Sequence, residues 1–523
     1  MTETQNSRQV PDQPWRTEPE IPLARQQQLA ACRTRVVDSK RGFYPFGGMK
    51  LSRADIEWLL ATHENGRGPV DLTDTSQQSR TGLDLHGADL RHASLQALPL
   101  TRMQGGLSRQ EWMTATEVQR LAATVLLQGA DLSEAHLEES ELLGAHLEGG
   151  SLEALHAEGA ELFRAHLQGA FLSKASFHNA NLAEASLEKA DLSDACLQGA
   201  NLFGAHLEKA YLTGAHLEHV DLHEAHLEKA YLSEAHLEHA NLSEAHAEEA
   251  YFSEVHLEGA DLSGTHLDGT YLNAAHLEGV ILSGAHLERA FLYKAHLEGA
   301  ILSTTKTPEG PMRVFLGGRH RHIGPWLADT QWGSVNLAVV DWSDVDMLGD
   351  EYEAQLQTRA GKTKTNAMRL QEYEAAVRAN RQLAVALQAQ GLNEEAARFA
   401  YRAQVLQRIV LRRQRSWGQY LFSAFLDLLA GYGYRPERSL LAYLIVIFGF
   451  MVLYLINSHV VGPPLTWDEA LVLSVTCFHG RGFLLPNVAL GATYARLAAV
   501  EAVVGLLIEV SFIATFTQRF FSK

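Results

Sequence analysis

Cysteine is nearly absent from this chain: 3 in 523 residues, at Cys32, Cys196 and Cys477, with no recurrent spacing. That scarcity excludes a disulfide framework and a cysteine-based zinc site, and it fits a reducing compartment. Basic charge is also short, with 44 Lys+Arg against 62 Asp+Glu and a formal charge of -18, so no nucleic-acid partner is expected. The opening MTETQNSRQVPDQPW lacks a basic segment followed by an apolar run, which argues against a secretory leader. It reads as a disordered tail over residues 1–50. No nucleophile–base pair, phosphate-binding loop or metal cluster stands out, so the reading is non-enzymatic, with no cofactor and no resident metal.

What the chain has is repetition. Residues 220–246 read VDLHEAHLEKAYLSEAHLEHANLSEAH, one five-residue phrase of small residue, X, Leu, X, X. From 127 to 302 the phrase has 36 centres, of which 32 are Leu and the others Ala157, Phe177, Ala247 and Phe252. A helix would turn about 140° per phrase and scatter the leucines around its axis, while a strand would flip them between faces. A square coil with one phrase per side satisfies the period. Leu and the small residue two before it then point inward. Leu155-His156-Ala157 swaps the large and small positions and keeps the core volume, whereas Ala245-His246-Ala247 offers no such swap.

The phrase over residues 125–304 resembles the pentapeptide-repeat family, whose pattern is A-[DN]-L-X-X. The resemblance implies a right-handed quadrilateral β-helix of about nine coils, roughly 43 Å long at about 4.8 Å per coil. Leu85, Leu90 and Leu95 read as an earlier part of the same helix. Residues 51–63 read as a capping helix with Ser52 and Asp55 in capping positions, and 108–127 as a helical excursion. Together 51–124 form the first domain and 125–304 the main rod.

Side chains 20 apart should stack in columns: Tyr211, Tyr231, Tyr251, Tyr271 and Phe291 on one side, Asn and Asp from Asn181 to Asp261 opposite. Two histidine columns, 206 to 286 and 216 to 296, occupy the remaining sides. Residues 126–302 hold 30 Asp+Glu against 7 Lys+Arg, a net of -23 that leaves +5 elsewhere, and 18 of the 25 histidines. Imidazoles about 4.8 Å apart with carboxylates beside them could in principle share zinc. The plainer reading is one soluble phrase copied by duplication. Histidine columns could also respond to pH. Some members of the resembled family mimic duplex DNA and bind gyrase, which makes a protein partner on the acidic rod an alternative role.

Beyond the rod, 305–365 read as a Gly/Trp-rich connector and 366–437 as a helical hairpin plus a juxtamembrane segment. The hairpin resembles one tetratricopeptide unit, with Leu370, Tyr373, Val377, Asn380, Ala384 and Leu387 as its stripe. The uncharged run LLAYLIVIFGFMVLYLI at 440–456 is long enough to cross a bilayer, and 497–517 reads as a second span interrupted by Glu501 and Glu509. Arginines before the first span and Arg519 and Lys523 after the second place both termini in the cytoplasm. Between the spans, Thr466 and Glu469 start a short helix that should end near Thr476, before Gly480 and Gly482.

Span, short helix, Gly-X-Gly loop and span together resemble, over 438–521, the two-transmembrane pore module of potassium-channel-like proteins. The resemblance implies an all-α two-span membrane module with a re-entrant pore loop, Thr476, Cys477, Phe478, His479, Gly480, Arg481 and Gly482, in a tetramer contacting lipid and passing ions. Where T-V-G-Y-G is expected the chain has Phe478-His479-Gly480-Arg481-Gly482, and arginine rings suit anion pores. Gly431-Tyr432-Gly433 precedes the first span and reads as a juxtamembrane turn. Glu501 is expected to hold Arg481 behind the loop. The whole reads as a multi-pass bacterial membrane protein, either an ion channel or an anchored scaffold.

Overall fold

The computed structural model describes residues 13–35, 38, 41–77, 79–302, 324–333, 335–340, 342, 345–359, 362–433, 436–461, 465–480 and 492–521. It divides into two compact units, Met1–Gly349 and Asp350–Lys523.

In the first unit the five-residue phrase makes one side of a square. Leu227, Glu228, Lys229 and Ala230 form a turn in which the Ala230 amide donates to the Leu227 carbonyl at 2.9 Å. Lys229 takes φ 61°, as a type II turn requires of its third residue. Between turns each side meets the next coil in a single parallel bridge, as His206 with His226 and Tyr211 with Tyr231. Leu227 and Ala225 are fully buried, while His226 is half-buried and faces outward.

The volume bookkeeping differs from expectation at one coil. Leu155 and Ala157 are both buried, as the swap requires. Ala247, expected to be uncompensated, shares its coil with Phe252 and Val255, all three fully buried. Relative to Leu, Leu and Ala at these positions, the coil loses about three carbons at 247 and regains about five at 252 and 255.

Insertions leave the phase intact. Successive coils pair residues 20 apart, but Asp89 pairs with Leu126 and Gln104 with Glu141, 37 apart, so 17 residues are inserted. They hold two short helices at the expected excursion, which follow two earlier helices in the chain. Those are α1 (Leu23–Arg33) and α2 (Arg53–Ala61); the excursion is α3 (Arg109–Thr114) and α4 (Glu117–Ala123).

Residues 1–50 are not uniformly a disordered tail, because α1 lies within them with Leu29 and Cys32 buried. Arg25 grips Asp55 with two bonds of 2.9 Å, and Asp55 also completes the capping box with Ser52. The Glu57 carboxylate accepts from the amides of Thr17 and Glu18 and from Arg53. Polar residues that look solvated in sequence thus have partners 30–40 positions away.

The connector likewise carries the rod onward. Phe291 pairs with Trp326 and His296 with Gln331, so residues 326–331 add to the next coil. Trp326 stacks on Phe291 at 4.2 Å, extending the aromatic column. Val335, Leu337 and Trp342 are buried beyond it, the indole donating to the Leu337 carbonyl at 3.0 Å. A covered end is what a solenoid needs to hide its last apolar coil.

In the second unit, α5 (Gly349–Gln355) and a two-rung hairpin, β1 (Thr358–Arg359) and β2 (Lys362–Thr363), precede the helical hairpin α6 (Asn366–Ala389) and α7 (Asn393–Arg413). Tyr373, Val377, Asn380, Ala384 and Leu387 are buried as their spacing predicts, and Leu370 partly so. Gly391, at φ 80°, makes the turn. Then follow α8 (Trp417–Ala430), α9 (Pro436–Val461), α10 (Trp467–Phe478) and α11 (Ala492–Phe521). Gly431 ends α8 in the left-handed conformation, so Gly431-Tyr432-Gly433 is a turn. Among the described residues one segment, Arg438–Ser458 in α9, is long and apolar enough to cross a membrane. The second expected span, residues 497–517, lies within α11.

Candidate functional site

The C-terminal helices bring the expected residues together around α10. Its capping box forms as predicted, the Glu469 carboxylate accepting from the Thr466 amide at 3.0 Å. The helix continues two residues past Thr476, whose hydroxyl folds back onto the carbonyls of Val472 and Leu473 at 2.8 and 2.9 Å. Cys477 and Phe478 are buried. Phe478 closes the helix against α11: a Cβ on Gly505 would sit 2.1 Å from the Phe478 carbonyl oxygen, so the two backbones touch only because that position is glycine.

Glu501 is fully buried. Its Oε2 accepts from the Tyr454 hydroxyl at 2.8 Å, and its Oε1 from Ser474, whose hydroxyl also lies 2.9 Å from the Ile447 carbonyl. A carboxylate on α11 is thereby joined to α9 and α10. The described partners of Glu501 are hydroxyls; Arg481 and Gly482 lie outside the described residues. Glu509, one-third exposed, pairs with Nδ1 of His479, and Nε2 of His479 lies 3.1 Å from the Tyr443 hydroxyl. Gly480 has φ 70°. Tyr443, Tyr454, Ser474 and Gly505 were not singled out in the sequence. Polar or glycine positions inside apolar helices were the available signal.

A second polar node sits where α7, α8 and α9 meet. The Asp427 carboxylate accepts from Arg408 at 2.7 Å, Tyr401 at 3.1 Å and Arg438 at 3.1 Å. Arg438 also donates to the Asp427 carbonyl at 3.0 Å.

On the rod the columns are real. Tyrosine rings stack 4.8–4.9 Å apart from Tyr211 to Tyr271. Histidine rings stack 4.6–5.1 Å apart and nearly parallel through 206–286 and 216–296. Most Nδ1 atoms face the glutamate two residues on, as His236 with Glu238 at 3.2 Å, while those of His266 and His296 face Glu248 and Glu278 of the preceding coil. Burial, reinforced by repulsion from His146 and His266, pushes His166 and His286 below the ordinary histidine range. The hydrogen bond to Glu138 raises His136.

Residues 160–303 match the family model of pentapeptide repeats, in 8 copies. No curated protein matches the chain. Among solved structures, HetL, a pentapeptide repeat protein involved in heterocyst differentiation regulation in the cyanobacterium Nostoc, is 29% identical over 43% of this chain and 91% of its own, with a TM-score of 0.28. A pentapeptide repeat protein from the cyanobacterium Cyanothece is 28% identical over 22% of this chain and 58% of its own, with a TM-score of 0.14. Full-length QnrB1, a plasmid-mediated fluoroquinolone resistance protein, is 14% identical over 39% of this chain and 96% of its own, with a TM-score of 0.17. Taken with the five-residue turns and the 20-residue bridges, the family match makes the central rod of this chain a pentapeptide-repeat β-helix.

Proposed function

We propose that the chain is a non-enzymatic, multi-pass membrane protein in which a cytoplasmic pentapeptide-repeat rod is joined to an oligomeric, channel-like pore module. The observation that carries this reading is the 12-residue α10 lodged between two long helices, its C-terminal end seated on Gly505. A helix of that length cannot cross a bilayer. Placed between spans, its C-terminal end would sit at membrane depth, where backbone can line a water-filled path. Exposed apolar side chains line both flanking helices, Leu441, Ile445, Phe448 and Ile456 on α9 and Val503, Leu506 and Ile513 on α11. They suit lipid or neighbouring subunits. The two acidic groups of α11 have partners within the module, which removes the main objection to α11 as the second span. Asp427 ties the hairpin to α9, so a displacement of the hairpin would reach the module.

Four copies around an axis would enclose the loop, with Arg481 near the ion path. Ion flux from purified protein in liposomes, alongside the oligomeric state, tests the reading. Flux with selectivity moved toward cations by Arg481→Tyr is expected. A monomer or dimer that passes no ions would leave the second reading, a membrane-anchored scaffold whose acidic rod binds a protein partner. The repeated acidic surface of the rod favours that alternative.

A further inference from the structure

The two histidine faces of the rod hold a geometry that the repeat alone does not require. Between successive coils one glutamate oxygen sits between two imidazole nitrogens. Glu248 Oε1 lies 3.7 Å from His246 Nδ1 and 3.9 Å from His266 Nδ1. Glu278 Oε1 lies 3.7 Å from His276 and 3.8 Å from His296. In His206-Glu208-His226, His236-Glu238-His256 and their repeats, two ring nitrogens and a carboxylate oxygen all fall within 4.8 Å of one another.

An independent observation concerns the other oxygen of each carboxylate. Oε2 of Glu148, Glu208, Glu238, Glu248 and Glu258 is buried and has no hydrogen-bond partner. Glu138 differs, because the Thr101 hydroxyl serves its Oε2 at 3.1 Å. A buried carboxylate oxygen without a donor is costly unless a cation offsets it. The same deficit recurs at Glu188, Gln168 and Gln198, which lie beside no histidine pair, so it is the paired imidazoles around Oε1, with exposed edges that let an ion approach, that set these faces apart.

We propose that the histidine faces are an array of divalent transition-metal sites, each formed by two histidines one coil apart and the glutamate between them. Two imidazoles and one carboxylate are the ligand set of zinc-class ions, with a fourth position open to water. Bond lengths of about 2.0–2.2 Å require neighbouring Nδ1 atoms to approach to about 3.5 Å. Half-exposed side chains achieve this by ring rotation, without moving the bridged backbone. One Nδ1 serves one ion, so alternate coil intervals fill. Each run of five histidines takes two ions, and the pairs His136–His156 and His146–His166 take one each, about six per chain.

The test compares variants that remove equal numbers of imidazoles from one run of the full-length protein, purified without a histidine tag. In His226→Ala/His266→Ala no two remaining histidines of that run are neighbours. His206→Ala/His286→Ala leaves His226, His246 and His266 adjacent. Equilibrium dialysis against micromolar Zn2+ should show a loss of two ions for the first variant and one for the second. Co2+ should give the visible absorption of a four-coordinate site, reduced in the same ratio. Equal losses in the two variants, which independent single-histidine binding predicts, would overturn the proposal. So would a wild-type protein that retains no Zn2+.

Discussion

The coil containing Ala247 provides a quantitative test of how the rod fills its interior. Ala247 and Phe252 are consecutive inward positions, and their amides donate to the next coil at His266 and Tyr271, both at 2.8 Å. Ala247→Leu adds about three carbons to a fully packed coil and should cost about 1–3 kcal/mol by overpacking. Phe252→Leu removes about three carbons beside an alanine and should cost about 2 kcal/mol. Together the two changes recreate the ordinary Leu-Leu pair, with only the extra methyls of Val255 in excess. The double variant should therefore fall within about 1 kcal/mol of wild type, a coupling of about 2–5 kcal/mol. Hydrogen exchange of peptides covering residues 240–260 in the full-length protein reads the local opening free energy of this coil. Additive costs would refute the compensation and mean that the two positions do not share one packed volume.

Other expectations follow from particular residues. Glu234 is a non-glycine residue at φ 60° on an exposed turn, so Glu234→Gly should stabilise its coil by a few tenths to about 1 kcal/mol in the same exchange assay. His286 resists protonation in the folded coil, so stability should decline as pH falls through the ordinary histidine range, and His286→Gln should lessen that decline near the end of the rod. His136 acts in the opposite sense: its ion pair with Glu138 contributes below the ordinary histidine range and is lost as pH rises through the raised value, so His136→Gln should weaken the first coils most at mildly acidic pH, measured by exchange of peptides over 130–160. Gly505→Ala forces α10 and α11 apart and should lower the thermal stability of the detergent-purified protein, whereas Gly418→Ala, at a position with no neighbour near its Cβ, should not.

The local character of the rod made it readable. Every phrase closes its own four-residue turn and repeats the same inward pair, so period, inward face and column membership depend on residues at most 20 apart. The caps and insertions needed longer reach. Arg25 with Asp55, Trp326 on Phe291 and the 37-residue jump at Asp89 join positions that no local pattern relates.

The C-terminal unit divides in the same way. Hydropathy and capping residues marked its helices, because Thr466 with Glu469 and the uncharged run in α9 are local signals. Which polar groups meet inside it was not legible. Glu501 finds Tyr454 47 positions away and Ser474 27 positions away, and Gly505 admits the Phe478 carbonyl, because three helices converge there. The repeat by itself determined the rod, since a five-residue period has one low-energy way to bury its leucines. The orphaned carboxylate oxygens beside stacked imidazoles, and the hydroxyls that satisfy Glu501, were decided only by tertiary structure, because hydrogen-bond satisfaction depends on which distant atoms packing delivers to each buried group.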